Sequence, residues 1–295
     1  MDEVTNEAQA PEQTGPLFAD VTRADLPPIM QQAVDRAGWS TLTPVQARTI
    51  PYLRARRDVM VQAQTGSGKT GAFVLPILER IHPEQKTCQA LILVPTRELA
   101  QQVTADATLL AGDTGIRVTA VYGGTSYRPQ VDAFKLGAHL VVGTPGRILD
   151  HLIHRNLTLD HLETLIFDEA DRLMSMGFFP DMAHIRSFLP DRSINSCMFS
   201  ATFPMQVMSL AQHFMEKPEF ISLSQDHVHV LEVNHVYYMV PAMEKDRALV
   251  RIIEFENPHQ AIIFCNTKDR VFYVTSVLQR FGYNADQLSS DLSQS

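Results

Sequence analysis

Ala63–Thr70, AQTGSGKT, is the stretch on which the reading of the fold turns. It follows the apolar run DVMVQA (58–63) and opens into a pattern of helical period from about Gly68. A strand, a glycine turn and a helix N-terminus in that order form a phosphate cradle. Gly66 and Gly68 let the backbone turn so that N–H groups point inward, and the helix end adds partial positive charge. The octapeptide matches the P-loop pattern except that Ala63 stands at the first glycine. Lys69 is placed to meet the β and γ phosphates, and the Thr70 hydroxyl to ligate Mg2+. Gln64, Thr65 and Ser67 supply the remaining loop backbone. The bland alternative, a glycine turn that happens to precede a lysine, does not require the flanking strand and helix.

Outward from this loop, short apolar runs alternate with helical patterns: ALILVP, then a helix from Thr96; RVTAVY; LVVGTP with a helix behind it; TLIFDE; and SCMFSA followed by PMQVMSLAQHF. Runs of four to six β-favouring residues without polar alternation indicate strands buried on both faces, hence a parallel sheet covered by helices. The fold class is α/β. The rhythm breaks near Ser222–Val233 and resumes with HVYYMV, a helix over 245–255, AIIFCN, a helix over 269–281 and a strand near 284–288. The expected organisation is a tail over 1–16, a nucleotide-binding domain over 17–223, a linker over 224–233, and a second α/β domain over 234–295. The last ends after its third strand and reads as truncated.

The chain has 295 residues, long enough for two domains, with 45% hydrophobic and 20% charged residues, a globular composition. No apolar run approaches a membrane span and the N-terminus is acidic and polar, so a cytosolic protein is expected. Cys88, Cys197 and Cys265 are too widely spaced for a zinc site or a disulfide framework. The eleven histidines show no metal-ligand spacing. The net charge of −8, half of it from Asp2, Glu3, Glu7 and Glu12, excludes coating of nucleic acid by bulk electrostatics. Such binding must be local.

A P-loop ATPase also needs a carboxylate at the end of a neighbouring strand to hold the metal, and a second acid to orient water. LIFDEAD supplies both, with Asp168 as metal partner, Glu169 as the base or water-orienting group, and Asp171 tying the segment to another motif. An acidic first helical turn is the alternative.

With AQTGSGKT and DEAD together, the chain resembles the DEAD-box RNA helicase family. The resemblance implies a RecA-like P-loop domain followed by part of a second, with ATP and Mg2+ as cofactors. GWSTLTPVQARTIP (38–51) looks like the family's adenine-reading segment, in which Gln46 bonds the adenine edge, Trp39 stacks on the ring, and Thr43 belongs to the same site. Phe18 matches an isolated upstream aromatic. Pro95, Thr96 and Arg97 of PTRELA, the pair Gly123 and Gly124, and Thr144, Pro145, Gly146 and Arg147 of TPGR look like the segments that grip the RNA backbone. Ser200 and Thr202 of SAT look like the motif coupling hydrolysis to strand separation. IIFCNT, ending at Thr267, resembles the first motif of the second domain. Such contacts read the backbone and not the bases, so binding should be largely sequence-independent and salt-sensitive. The implied protein is a monomeric ATP-dependent RNA helicase or RNA–protein remodeller.

Two departures stand out. Ser289 and Ser290 occupy places where the family often has histidine and glycine. The family's last two motifs, with their arginine fingers, have no counterpart before Ser295. The stretch as given is therefore expected to bind adenine nucleotide, hydrolyse it poorly and not unwind RNA. Two rivals stay open: a P-loop ATPase acting on DNA or protein, and a catalytically silent RNA-binding or regulatory module.

Overall fold

The computed structural model describes residues 17–223, 234 and 236–289. The expected tail (1–16) and linker (224–233) lie outside the described residues. The chain divides into two compact units, Met1–Val228 and His229–Ser295.

The first unit is built on seven strands: β1 (Val59–Gln62), β2 (Ala90–Leu93), β3 (Val118–Val121), β4 (Leu140–Gly143), β5 (Thr164–Phe167), β6 (Asn195–Ser200) and β7 (Glu219–Ser222). All pairings are parallel, in the order β3-β4-β2-β5-β6-β1-β7. Six of these strands fall within the apolar runs read from sequence or overlap them by all but one residue. The seventh, EFIS, was not among them. It is a short edge strand whose Phe220 is exposed, so it lacks the continuous apolar signal of a doubly buried strand.

Side chains alternate across the sheet, and each parity meets a different set of helices. Ala90, Ile92, Leu140, Val142, Ile166 and Phe199 pack on one face, against α1 (Pro28–Arg36), α2 (Pro44–Arg54), α3 (Lys69–Arg80) and α4 (Arg97–Ala111). Leu91, Leu93, Val141, Leu165, Phe167 and Met198 pack on the other. There α5 (Tyr127–Leu136), α6 (Pro145–Ile153), α7 (Ala170–Ser175), α8 (Phe179–Arg186) and α9 (Met205–Phe214) cover them. Edge-on ring pairs anchor each layer, Phe73–Phe199 with centroids 5.2 Å apart and Phe167–Phe214 at 4.9 Å. Met182 is fully buried in the second layer, with Met174, Phe178 and Phe179 packed against that layer, whereas Met176 of the same segment is exposed.

The second unit contains α10 (Lys245–Glu256) and α11 (Lys268–Arg280), close to the two helices expected, which meet through Val250, Val274 and Leu278. The three strands expected at HVYYMV, AIIFCN and 284–288 are not formed among the described residues. An apolar run marks residues that favour burial, but a strand exists only where neighbouring backbone pairs with it. Here Ile262 and Phe264 are 82% and 91% exposed. No described helix is long and apolar enough to cross a membrane.

Gly143, at the end of β4, has no room for a side chain: a Cβ there would lie 2.4 Å from the Val121 carbonyl oxygen and 2.8 Å from Ile148 Cδ1. Gly143→Ala is expected to destabilise the first unit by about 2 kcal/mol through overpacking, read as a lower urea midpoint at unchanged slope.

Candidate nucleotide and nucleic-acid site

Parallel strands deliver all their C-terminal ends to one edge of the sheet, where open α/β sheets bind ligands. The first element at that edge is the glycine loop after β1. Gly66 and Gly68 adopt positive φ of 79° and 91°, conformations that favour glycine. Gly68 caps α3 without a side-chain bond, so the first N–H groups of the helix remain available to an anion. Gln64, Thr65 and Gly66 are exposed along the loop and Ser67 ties it by donating to the Gln64 carbonyl at 2.8 Å. Ala63 is buried and donates its N–H to Ser200 O at 3.0 Å, locking the start of the loop to the end of β6.

Lys69 and Asp168 are both buried, and Lys69 Nζ lies 3.8 Å from Asp168 Oδ1. Burial pushes the Asp168 carboxyl up to about 6; the Lys69 ammonium opposes that rise, while Glu169 and Asp171 add to it. Glu169 follows in the left-handed region at φ 51°, an uncommon conformation for a residue with a side chain, and caps α7. Its carboxylate lies 3.6 Å from Arg172 Nη1. Asp171 Oδ2 accepts from the Thr202 backbone N–H (3.1 Å) and hydroxyl (2.9 Å), and the Asp171 N–H donates to Ser200 Oγ at 3.1 Å. The DEAD segment and SAT are thus tied side by side across β5 and β6.

The segment ahead of α2 closes against the loop. Gln46 accepts from Thr43 N–H at 3.0 Å and donates to Gly68 O at 3.1 Å. It is 1% exposed, so in this structure its amide grips the phosphate loop. Thr43 and Gln46 crowd Gly68, and the Trp39 indole edge crowds Gly71; a Cβ on Gly71 would come within 2.7 Å of Trp39 Cη2. Trp39 is partly buried on the core. Phe18 packs edge-on against Tyr52 at 4.9 Å.

The remaining predicted residues occupy the ends of β2, β3 and β4. Thr96 caps α4 by accepting from Leu99 N–H at 3.2 Å, which leaves its O–H free to donate. Arg97 is exposed and reaches the Gly123–Gly124 turn; a Cβ on Gly124 would lie 3.0 Å from Arg97 Nη1. Arg147 Nη1 points at Thr125 O at 3.5 Å. Thr144 and Gly146 are partly exposed, whereas Pro95 and Pro145 are buried and set the turns instead of facing outward. Thr267, exposed in the second unit, caps α11 by accepting from Arg270 N–H at 3.2 Å.

Sequence reading did not select Gln62, which donates to Ala201 O at 3.2 Å and so braces the SAT turn from β1. It also missed Gln130 and His151, buried on α5 and α6. The available signal was a polar residue on the apolar stripe of each helix.

Among the described residues no group of three or more His, Cys, Asp or Glu side chains could hold a metal. Asp168 and Thr70 offer hard oxygen donors only. That set suits Mg2+, which takes most of its ligands from water and phosphate.

The family model for DEAD/DEAH box helicases matches residues 43–210. The chain is 39% identical over 265 residues to the DEAD-box ATP-dependent RNA helicase CshA of Bacillus licheniformis, covering 90% of this chain and 54% of that protein. To the ATP-dependent RNA helicase CshA of Listeria monocytogenes it is 40% identical over 263 residues, covering 89% and 50%. The chain therefore spans about half the length of these curated relatives. A crystal structure of a DEAD box protein from Methanococcus jannaschii superposes with a TM-score of 0.67 at 32% identity, over 94% of this chain and 75% of that one.

Two outcomes are expected from this geometry. Asp171→Ala removes both acceptor bonds to Thr202; amide exchange at Thr202 should accelerate and stability fall by about 1 kcal/mol, and unchanged exchange would contradict the link. Without nucleotide, native Asp168 titrates near 6 against 3.8 for an ordinary carboxyl. The native state then holds more protons than the unfolded state between those values. The contribution of this group is largest below about pH 4 and is lost as pH rises through 6. Stability curves of wild type and Asp168→Asn should differ in slope only within that window.

Proposed function

The chain belongs to the DEAD/DEAH box helicase family, and from that premise we propose that it is the nucleotide-binding part of a cytoplasmic, monomeric ATP-dependent RNA helicase. The observation that carries the proposal is the buried Lys69–Asp168 pair beneath the glycine loop, on the same sheet edge as Arg97, Gly124 and Arg147. A buried ammonium and carboxylate held 3.8 Å apart are a poised site more than a structural pair. Phosphate entering the loop gives Lys69 a second, stronger partner, and releases Asp168 to serve as a carboxylate.

The residues act as follows. The loop N–H groups and Lys69 bind and orient the β and γ phosphates, stabilising charge that develops there. Asp168 and Thr70 hold Mg2+, which when bound neutralises phosphate charge. Glu169 takes the proton of the attacking water or orients that water. The Asp171–Thr202 bonds carry any shift of the DEAD segment to SAT. RNA is gripped by Thr96, Arg97, the Gly123–Gly124 turn, Thr144 and Arg147 of the first unit; Thr267, within the second unit by itself, is a further RNA contact. Adenine is read by the Trp39–Gln46 segment.

For the 295 residues by themselves we propose nucleotide binding with slow turnover. The test is steady-state ATP hydrolysis with and without single-stranded RNA or DNA. RNA-stimulated turnover is expected, lowered about 10²-fold or more by Glu169→Gln, with ATP binding retained in that variant and lost in Lys69→Ala. Equal stimulation by DNA, or indifference to Glu169→Gln, would refute the reading.

A further inference from the structure

The two RNA-facing turns, Tyr122–Thr125 after β3 and Thr144–Arg147 after β4, are joined from beneath by a polar pair the sequence reading did not select. Gln130 Nε2 donates to Tyr122 O and to Thr125 Oγ1, both at 3.1 Å. Because a carbonyl oxygen only accepts, the nitrogen of the Gln130 amide must face that turn, and its oxygen must face α6. There Gln130 Oε1 lies 2.9 Å from His151 Nε2. The imidazole must therefore donate from Nε2, which leaves Nδ1 as a bare lone pair. Nδ1 is buried and without a hydrogen-bond partner, so a proton placed there would be left unpaired. Burial, then Arg147, pushes the ring's pKa down to about 4, so the neutral form holds throughout the physiological range.

The same imidazole supports the second turn. Tyr127 stacks on His151 with centroids 4.2 Å apart and planes at 26°, and the Arg147 guanidinium carbon lies 5.3 Å from the Tyr127 ring centroid. The Tyr127 hydroxyl accepts from Asn156 Nδ2 at 3.1 Å, so the ring is held at its far end too. One continuous path thus runs from Thr125 through Gln130, His151 and Tyr127 to Arg147, and returns from Arg147 to Thr125 O. Nothing in this path is needed to complete the sheet or the phosphate loop.

Resting on the RNA-binding reading above, we propose that Gln130 and His151 are positioning residues for RNA: a buried latch that sets the spacing of the two turns and presents Arg147 to a backbone phosphate. A guanidinium placed in advance loses less freedom on binding than one that must be ordered by the ligand. The latch therefore acts on RNA affinity through Arg147 and leaves the nucleotide site untouched.

The test is binding of fluorescein-labelled single-stranded U10 by the 295-residue chain, with mant-ADP binding measured alongside. His151→Phe keeps the ring stacked on Tyr127 and deletes the donor to Gln130. It should weaken U10 binding about tenfold and lower the salt slope by about one, as should Arg147→Ala. The double variant should be within about twofold of Arg147→Ala, since both act through one cation, and mant-ADP affinity should not move. Wild-type affinity in His151→Phe, fully multiplicative losses, or a parallel loss of mant-ADP would each overturn the latch while leaving the RNA reading intact. Failure of the wild type itself to bind U10 would overturn both. Should His151→Phe not fold, nitrogen NMR of wild-type His151 decides: a protonated Nε2 and bare Nδ1 are expected, and the reverse tautomer excludes the latch.

Discussion

Parallel pairing of β1, β5 and β6 is the constraint on which the rest of the first unit depends. Val61 lies opposite Phe199 and Gln62 opposite Ser200, while Phe167 lies opposite Met198. A register fixed this way delivers the glycine loop, Asp168 and the SAT turn to the same edge within a few residues of one another. Beyond the paired strands, Ala63 N–H still reaches Ser200 O, and Asp168 N–H reaches Leu93 O. Slippage by one residue would turn every side chain to the opposite layer. The apolar content of both layers therefore protects the geometry of the site. Phe199 and Phe167, on opposite faces, are both fully buried, so neither layer could accept the exchange.

The site stores an electrostatic tension within this rigid frame. Lys69 and Asp168 are withdrawn from water yet 3.8 Å apart, too far for a direct hydrogen bond. Desolvation of two charges is only partly returned by their attraction at that distance. Glu169 adds a second cost, a left-handed backbone at a residue bearing a side chain. Strain and poorly solvated charge at one sheet edge are what a site looks like when its ligand completes it, because stability alone would favour neither feature.

The bonds from Asp171 to Thr202 and the latch from Gln130 to His151 are of one kind. Each joins two turns that leave neighbouring strands, so that a displacement of one is felt by the other. The first couples the acidic segment to SAT across β5 and β6; the second couples the turns that follow β3 and β4. Between them stands β2, whose following turn carries Thr96 and Arg97.

Much of this could be read without coordinates, and the reason is chemical. Doubly buried strands announce themselves as unbroken apolar runs, as ALIL, LVVG and TLIF do, and a glycine loop needs residues few other structures need. Those features carried the α/β class and singled out Lys69 and Asp168, which the fold brings 3.8 Å apart. The edge strand EFIS and the polar members of buried networks escaped, because a half-exposed strand lacks a continuous apolar run, and a polar residue on a helix's apolar stripe signals burial without naming its partner. The strands expected in the second unit failed for the complementary reason: AIIFCN carries the composition of a strand, but pairing belongs to its neighbours. The sequence by itself determined which residues could hold phosphate and metal, since that chemistry resides in individual side chains and glycines. Only the tertiary structure decided that Gln46 grips Gly68, that Asp171 holds Thr202 and that His151 stands under Arg147, because hydrogen bonds between distant segments depend on strand order and register, which no single segment encodes.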